Sequence, residues 1–184
     1  MENTSKVETL NSILPYPLSL SPEGIYSFRT DKKHVYICTF KYCTPLFSPL
    51  LGIYDLKIFE FEFYLIESED TEDLDTSQDE KVSITISFLL RGFFENELDR
   101  VIFYLCDSTD ARHKERSILF RWWHRRHLQD ALVRRPVDIV IETEDKESQV
   151  VHGCAMVRKD FPHMEILNDE FILKAYETIK EKYG

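Results

Sequence analysis

The stretch that most constrains this chain runs from Val101 to His127. Six consecutive apolar residues, Val101 to Cys106, are flanked by charge, as in a strand buried on both faces. Asp107, Ser108, Thr109 and Asp110 follow, and their side-chain oxygens can cap the N-terminus of a helix. A basic, aromatic-rich segment comes next. The unit reads as strand, loop, helix, with the strand in the interior of a sheet.

The flanks supply partners for that strand. Ile25, Ser27 and Arg29 alternate with Tyr26 and Phe28, and the polar turn Thr30–Lys33 leads into the β-branched and aromatic run Val35–Tyr42, a hairpin pattern. From Lys57 to Ile66, Phe59, Phe61, Phe63 and Leu65 oppose Glu60 and Glu62, so that strand has one wet side. Eight acidic residues between Glu67 and Glu80 repel one another, and the run is expected to be a mobile loop over 67–80. Val82, Ile86, Leu89, Leu90, Phe93 and Phe94 share one helical face, which predicts a helix over 81–95. Ile84 and Phe88 stand off that face and require a cover, such as a homo-oligomer contact. Val137–Glu142 and Ser148–Val157 form a second hairpin around a charged turn. A last amphipathic helix runs over 168–183, with Asn168 as cap and Leu167 against Ile172 as a hydrophobic staple.

The expected architecture is an α+β fold: a mixed, mostly antiparallel sheet of about six strands, with about three helices near 81–95, 111–130 and 168–183. Residues 1–14 form a polar N-terminal extension, and 15–184 one domain, for which 184 residues with 43% hydrophobic content suffice. Cys38, Cys43, Cys106 and Cys154 lie mostly in apolar runs without metal-knuckle spacing, which fits reduced core thiols in the cytoplasm. No leader-like N-terminus is expected, and no window reaches the about 18 apolar residues of a membrane span.

Net charge is −10, but it is divided. Between Ala111 and Arg135 lie eight cations (Arg112, Lys114, Arg116, Arg121, Arg125, Arg126, Arg134, Arg135) against Glu115 and Asp130, a net +6 that leaves −16 for the rest of the chain. A helical wheel begun at Ala111 groups Ala111, Ile118, Leu119, Trp122 and Trp123 towards the core, and His113, Lys114, Ser117, Arg121, His124 and Arg125 towards solvent. Arg112, Lys114, Arg121, His124 and Arg125 are the candidate anion- or partner-binding residues, and a merely solvated face is the plainer alternative. Both tryptophans are expected in the core.

Asp107, Ser108 and Asp110 are a candidate loop site, because carboxylates just beyond the carboxyl end of a strand recur in catalytic and metal-binding loops; capping of the next helix by Ser108 or Asp110, with Asp107 tied to the basic segment, is the favoured reading. His124 and His127 lack a third ligand at helical spacing, so neither a metal nor a cofactor is expected. Asp138, Glu144 and Lys146 have the residue types of a metal-dependent nuclease, but the last two fall in a turn directly after the first. No Gly-rich phosphate loop, nucleophile elbow or His-Glu-x-x-His segment is present.

The run Tyr104–Leu105–Cys106–Asp107–Ser108–Thr109–Asp110–Ala111–Arg112, followed by Phe120, Arg121, Trp122 and Trp123, resembles an uncharacterised family of small bacterial proteins, mostly from Bacteroidetes. There a strand ending Cys-Asp-Ser precedes a helix with Phe, Arg and Trp in this order, and a Pro-Tyr pair, here Pro15-Tyr16, opens the domain. The resemblance runs from Pro15 to the C-terminus, with Ala111 where Gly is usual. It implies a fold and a bacterial source but no activity and no catalytic residues. The function expected is a non-enzymatic cytoplasmic binding or accessory module whose 112–135 segment holds an acidic protein surface in preference to nucleic acid, with Phe120, Ile84 or Phe88 as apolar anchor. The alternative is a metal-dependent hydrolase or nuclease built on Asp107 and Asp110.

Overall fold

The computed structural model describes residues 13–44, 55–67, 79–106, 113–142 and 148–167. Its strands are β1 (Ser19–Leu20), β2 (Tyr26–Arg29), β3 (Val35–Tyr42), β4 (Lys57–Glu67), β5 (Arg100–Cys106), β6 (Leu132–Glu142) and β7 (Ser148–Arg158). They form one sheet in the order β1-β2-β3-β4-β5-β7-β6. Only β4 and β5 pair in parallel, joined by the helix α1 (Glu80–Phe94); every other neighbouring pair is antiparallel. A second helix, α2 (His113–Trp123), passes into a π-helical turn, His124–Leu128, and a 3₁₀ turn, Met164–Leu167, follows β7.

The expected class is therefore observed, with small differences. The seventh strand is the two-residue β1, too short to leave a period in the sequence. β5 is an interior strand, and its alternate residues feed two cores. Ile102, Tyr104 and Cys106 join Phe28, Tyr36, Cys38, Phe61, Cys154 and Met156 beneath Val82, Ile86, Leu90 and Phe94 of α1 and Trp123 of α2. Val101 and Phe103 face the opposite side with Ile58, Val137, Ala155, Val157, Phe161 and Leu167. An uninterrupted apolar run is what such two-sided burial demands.

α1 follows the helical reading closely. Its N-cap is Asp79, whose carboxylate accepts from the backbone N–H of Lys81 and Val82. Tyr16 reaches the same carboxylate: its hydroxyl donates to Asp79 Oδ2 at 3.0 Å, while its backbone N–H donates to Thr85 Oγ1 at 2.8 Å. The two ends of the expected acidic loop are thus built into structure, Glu67 closing β4 and Asp79 with Glu80 opening α1. Its middle, 68–78, lies outside the described residues, as do 1–12 and the expected helix 168–183. Of the two α1 residues expected to need covering, Ile84 is half-buried and Phe88 exposed.

The expected helix over 111–130 is corrected at its end. The chain leaves helix at Leu128 and β6 starts at Leu132, so Arg134, Arg135 and Pro136 belong to a strand rather than to a basic helical segment. β6 is the sheet edge, where proline's missing N–H breaks no ladder that the sheet needs. All four cysteines are free thiols, three of them buried and Cys43 half-buried.

Candidate functional site

α2 docks on the sheet through Leu119, Phe120 and Trp123. Phe120 lies 4.8 Å from the Tyr104 ring, and Trp123 lies 6.0 Å from Phe63 and 5.1 Å from Phe120. That stacking sets the rotation of the helix and overturns part of the wheel. Trp123 is core, but Trp122 is 43% and Ile118 50% exposed. Two apolar arcs compete along this helix, one through Ile118 and Trp122 and the other through Phe120, and the aromatic neighbours on β4 and β5 select the second. Phe120 is consequently a packed residue and not a surface anchor.

The outward arc carries Lys114, Ile118, Arg121, Trp122 and Arg125, all exposed. Their spacing of three and four residues puts them side by side on one helical face. Arg126 lies beside this arc, with its guanidinium carbon 5.0 Å from the centroid of the Trp122 ring and an ion pair to Glu80 of α1.

His124, expected on the cationic face, is not part of it. The π turn is closed by the bond from the backbone N–H of Gln129 to the His124 carbonyl, and His124 Nε2 lies 3.0 Å from the Leu132 carbonyl at the start of β6. A carbonyl only accepts, so Nε2 carries a proton. Burial lowers the His124 pKa below its usual value, and the charges of Arg134 and Lys159 add to that effect. His127 turns instead towards α1, where Nε2 lies 3.0 Å from Ser83 Oγ. Ser83 has one hydroxyl proton and donates it to the Glu80 carbonyl at 2.6 Å, so His127 must be the donor of the pair. This is a structural contact between helix and turn; Ser83 is not an activated nucleophile. Burial and the guanidinium of Arg126 lower the His127 pKa. Arg91 closes the joint by donating to the His127 carbonyl and to Asp130, each at 2.5 Å.

The remaining cations are dispersed. Arg134 is half-buried, and its Nε–H donates to the Tyr104 hydroxyl at 3.2 Å. Arg135 is exposed on β6. Arg112, Asp107, Ser108 and Asp110 lie outside the described residues, as do Glu144 and Lys146 of the nuclease-like pattern. Asp138, the third member of that pattern, is engaged elsewhere: its Oδ1 lies 2.8 Å from His152 Nδ1 on β7. Among the described residues no three His, Cys, Asp or Glu side chains converge to hold a metal ion.

One constellation was missed in the sequence. Cys106 of β5 faces His152 of β7, and His152 faces Asp138 of β6, so the three stand in one row across three neighbouring strands. Burial pushes the Cys106 thiol up to about 11, while the guanidinium groups of Arg116 and Arg134 pull it the other way. Cys154, beside Tyr104 and Arg134, is completely buried and its thiol is pushed up to about 12. No sequence spacing announces such a row, because it exists only once β7 is paired to β5.

None of the described helices is long and apolar enough to cross a membrane. No curated protein and no solved structure matches the chain. A family model described as "Family of unknown function (DUF6169)" matches residues 78–172, just over half of the 184 residues. The match opens at the residue before the Asp79 cap and takes in both helices, the outward arc of α2 and the Cys106–His152–Asp138 row. The chain belongs to this family of unknown function, DUF6169.

Proposed function

We propose that the protein is a binding module that docks an acidic protein surface on the outward face of α2. The observation that carries this reading is the joint exposure of Lys114, Arg121 and Arg125 with Ile118 and Trp122 on one arc. A solvated face needs the cations but not an exposed indole and an exposed isoleucine. Interface centres, by contrast, combine Trp and Arg, with apolar anchors for residence and cations for steering. Arg126 adds a cation over the Trp122 ring, which holds the indole in place before any partner arrives.

Protein is preferred to nucleic acid on two grounds. Beyond 111–135 the chain is −16, which repels a polyanion of extended length, and Ile118 has nothing to contact on a phosphate backbone. Four free thiols support a reducing, cytoplasmic setting for this role. The partner class is tested by titrating the protein, under one buffer, with an acidic peptide containing leucine and tryptophan and with generic duplex DNA, following Trp fluorescence. The peptide is expected to bind and the duplex to fail at micromolar concentration. Submicromolar, salt-sensitive binding of the duplex would reverse the assignment to nucleic acid.

A further inference from the structure

The outward stripe of α1 takes no part in the α2 docking face, and its central side chain, Phe88, is 58% exposed. We propose that this stripe is the contact between two copies of the chain, a two-fold dimer in which the α1 helices pair antiparallel about Phe88.

Lys81, Ile84, Phe88 and Glu95 follow one another at intervals of three, four and seven residues, so they stand in one row along the helix. Val82, Ile86, Leu89, Leu90 and Phe94 fill the opposite side, against the sheet. The flank towards α2 is closed by the π turn, through Ser83 with His127 and Glu80 with Arg126, which keeps the stripe separate from the α2 arc. On the other flank the segment before β1 enlarges the apolar area. The Tyr16 N–H donates to Thr85 Oγ1, and Leu14, two residues earlier, is 72% exposed, with Ile13 beside it also exposed. Ile13, Leu14, Ile84 and Phe88 together make a patch that needs a second apolar surface.

The stripe is complementary to itself, which is what a two-fold contact requires. In an antiparallel pair centred on Phe88, residues equally far before and after it come level: Lys81 and Glu95 are each seven residues away, Ile84 and Gly92 each four. Each Lys81 ammonium is then level with the Glu95 carboxylate of the second copy, twice by symmetry, whereas a parallel pair sets like charges level. Glu95 is exposed; Lys81 is half-buried, its ammonium held 4.2 Å from the centre of the Tyr16 ring and 3.7 Å from Asp31 Oδ2. Arg91, on the flank, keeps Asp130 and the His127 carbonyl, so pairing buries no unpaired cation there.

Gly92 is the second indication. Glycine weakens a helix interior, and a Cβ added at this position meets nothing within 4 Å, so packing within one copy does not explain a bare backbone. A second helix does explain it. With no side chain at 92, the two helices approach closely, and the Phe88 and Ile84 side chains of the second copy have a place to seat.

Sedimentation velocity of the full chain over roughly 1–100 μM tests the proposal, and a monomer–dimer equilibrium is expected in that range. Phe88→Glu is expected to weaken association by roughly 100-fold or more. Gly92→Gln is expected to weaken it by roughly tenfold or more while raising the thermal midpoint of the dilute monomer, because a better helix former then fills open space. Glu95→Lys sets like charges level and should weaken association most at low salt. Under mild oxidation, Phe88→Cys is expected to form an intermolecular disulfide quickly, and Ile118→Cys, exposed on α2, slowly. Each variant is first shown to unfold cooperatively; if Phe88→Glu does not, Gly92→Gln and the Phe88→Cys cross-link decide. A chain that stays monomeric throughout, a dimer whose affinity is unchanged in both Phe88→Glu and Gly92→Gln, or association lost in Ile118→Ala instead would each overturn the proposal.

Discussion

The guanidinium carbon of Arg126 stands 5.0 Å from the centroid of the Trp122 ring, on the solvent side of α2, while the next residue, Trp123, is buried to 4% exposure. Adjacent tryptophans thus have opposite roles, one presented outward and one packed. Trp123→Ala should destabilise the fold by about 3–5 kcal/mol, the range for truncating a buried aromatic. Trp122→Ala should change stability by no more than about 1 kcal/mol, since it forfeits one partly exposed ring and one cation contact. Urea denaturation of the two variants separates these outcomes.

The two histidines of the π turn make stability depend on pH. His124 and His127 are both held below their ordinary value of 6.5, chiefly by burial, so each resists protonation in the folded state. The unfolded chain takes up those protons as pH falls below about 6.5, and the folded chain does so only at lower pH. Stability is therefore complete above that value and declines as pH falls through the window beneath it. His127→Gln preserves an N–H donor for Ser83 and removes one titrating group, so it should flatten the decline. Urea midpoints measured from about pH 8 to pH 5 check the sign.

Tyr16 and Asp79 should couple. The Tyr16 hydroxyl donates to the carboxylate that also caps α1, and burial is the main reason its pKa is pushed up to about 12. Tyr16→Phe is expected to cost about 1.5–3 kcal/mol, the range for a hydrogen bond to a charged group, and Asp79→Ala about 1–2 kcal/mol as a lost cap. The double variant should lose less than the sum, because the hydroxyl has no cap left to support. Strict additivity in a double-mutant cycle would contradict the shared carboxylate.

The parts of this fold legible in the sequence are those whose environment is uniform over several turns or strands. β5 is an uninterrupted apolar run because both faces are covered, and α1 keeps one apolar stripe over 15 residues. β6 was legible only from Val137, since Arg134, Arg135 and Pro136 obscure its period: Arg134 is drawn inward by the Tyr104 hydroxyl, and Pro136 is tolerated only at an edge. The rotation of α2 could not be read because it depends on Tyr104 and Phe63, residues distant in sequence. His124 was misplaced for the same reason, its partner being the Leu132 carbonyl beyond the π turn. Lys114, Arg121 and Arg125 are exposed, as the helical wheel expects, because an outward position on a helix depends on local spacing alone.

The account's central claim, that the outward arc of α2 is a docking surface for an acidic protein, is tested most directly by stopped-flow binding of a labelled acidic peptide containing leucine and tryptophan. Arg121→Ala with Arg125→Ala should slow association roughly tenfold at low salt with little change in dissociation, as for lost electrostatic steering. Ile118→Ala with Trp122→Ala should leave association nearly unchanged and accelerate dissociation by more than about tenfold, as for a lost apolar anchor. Binding whose two rates are the same in both variants as in the wild-type protein, or no binding at all, would contradict the claim and leave the arc a solvated face.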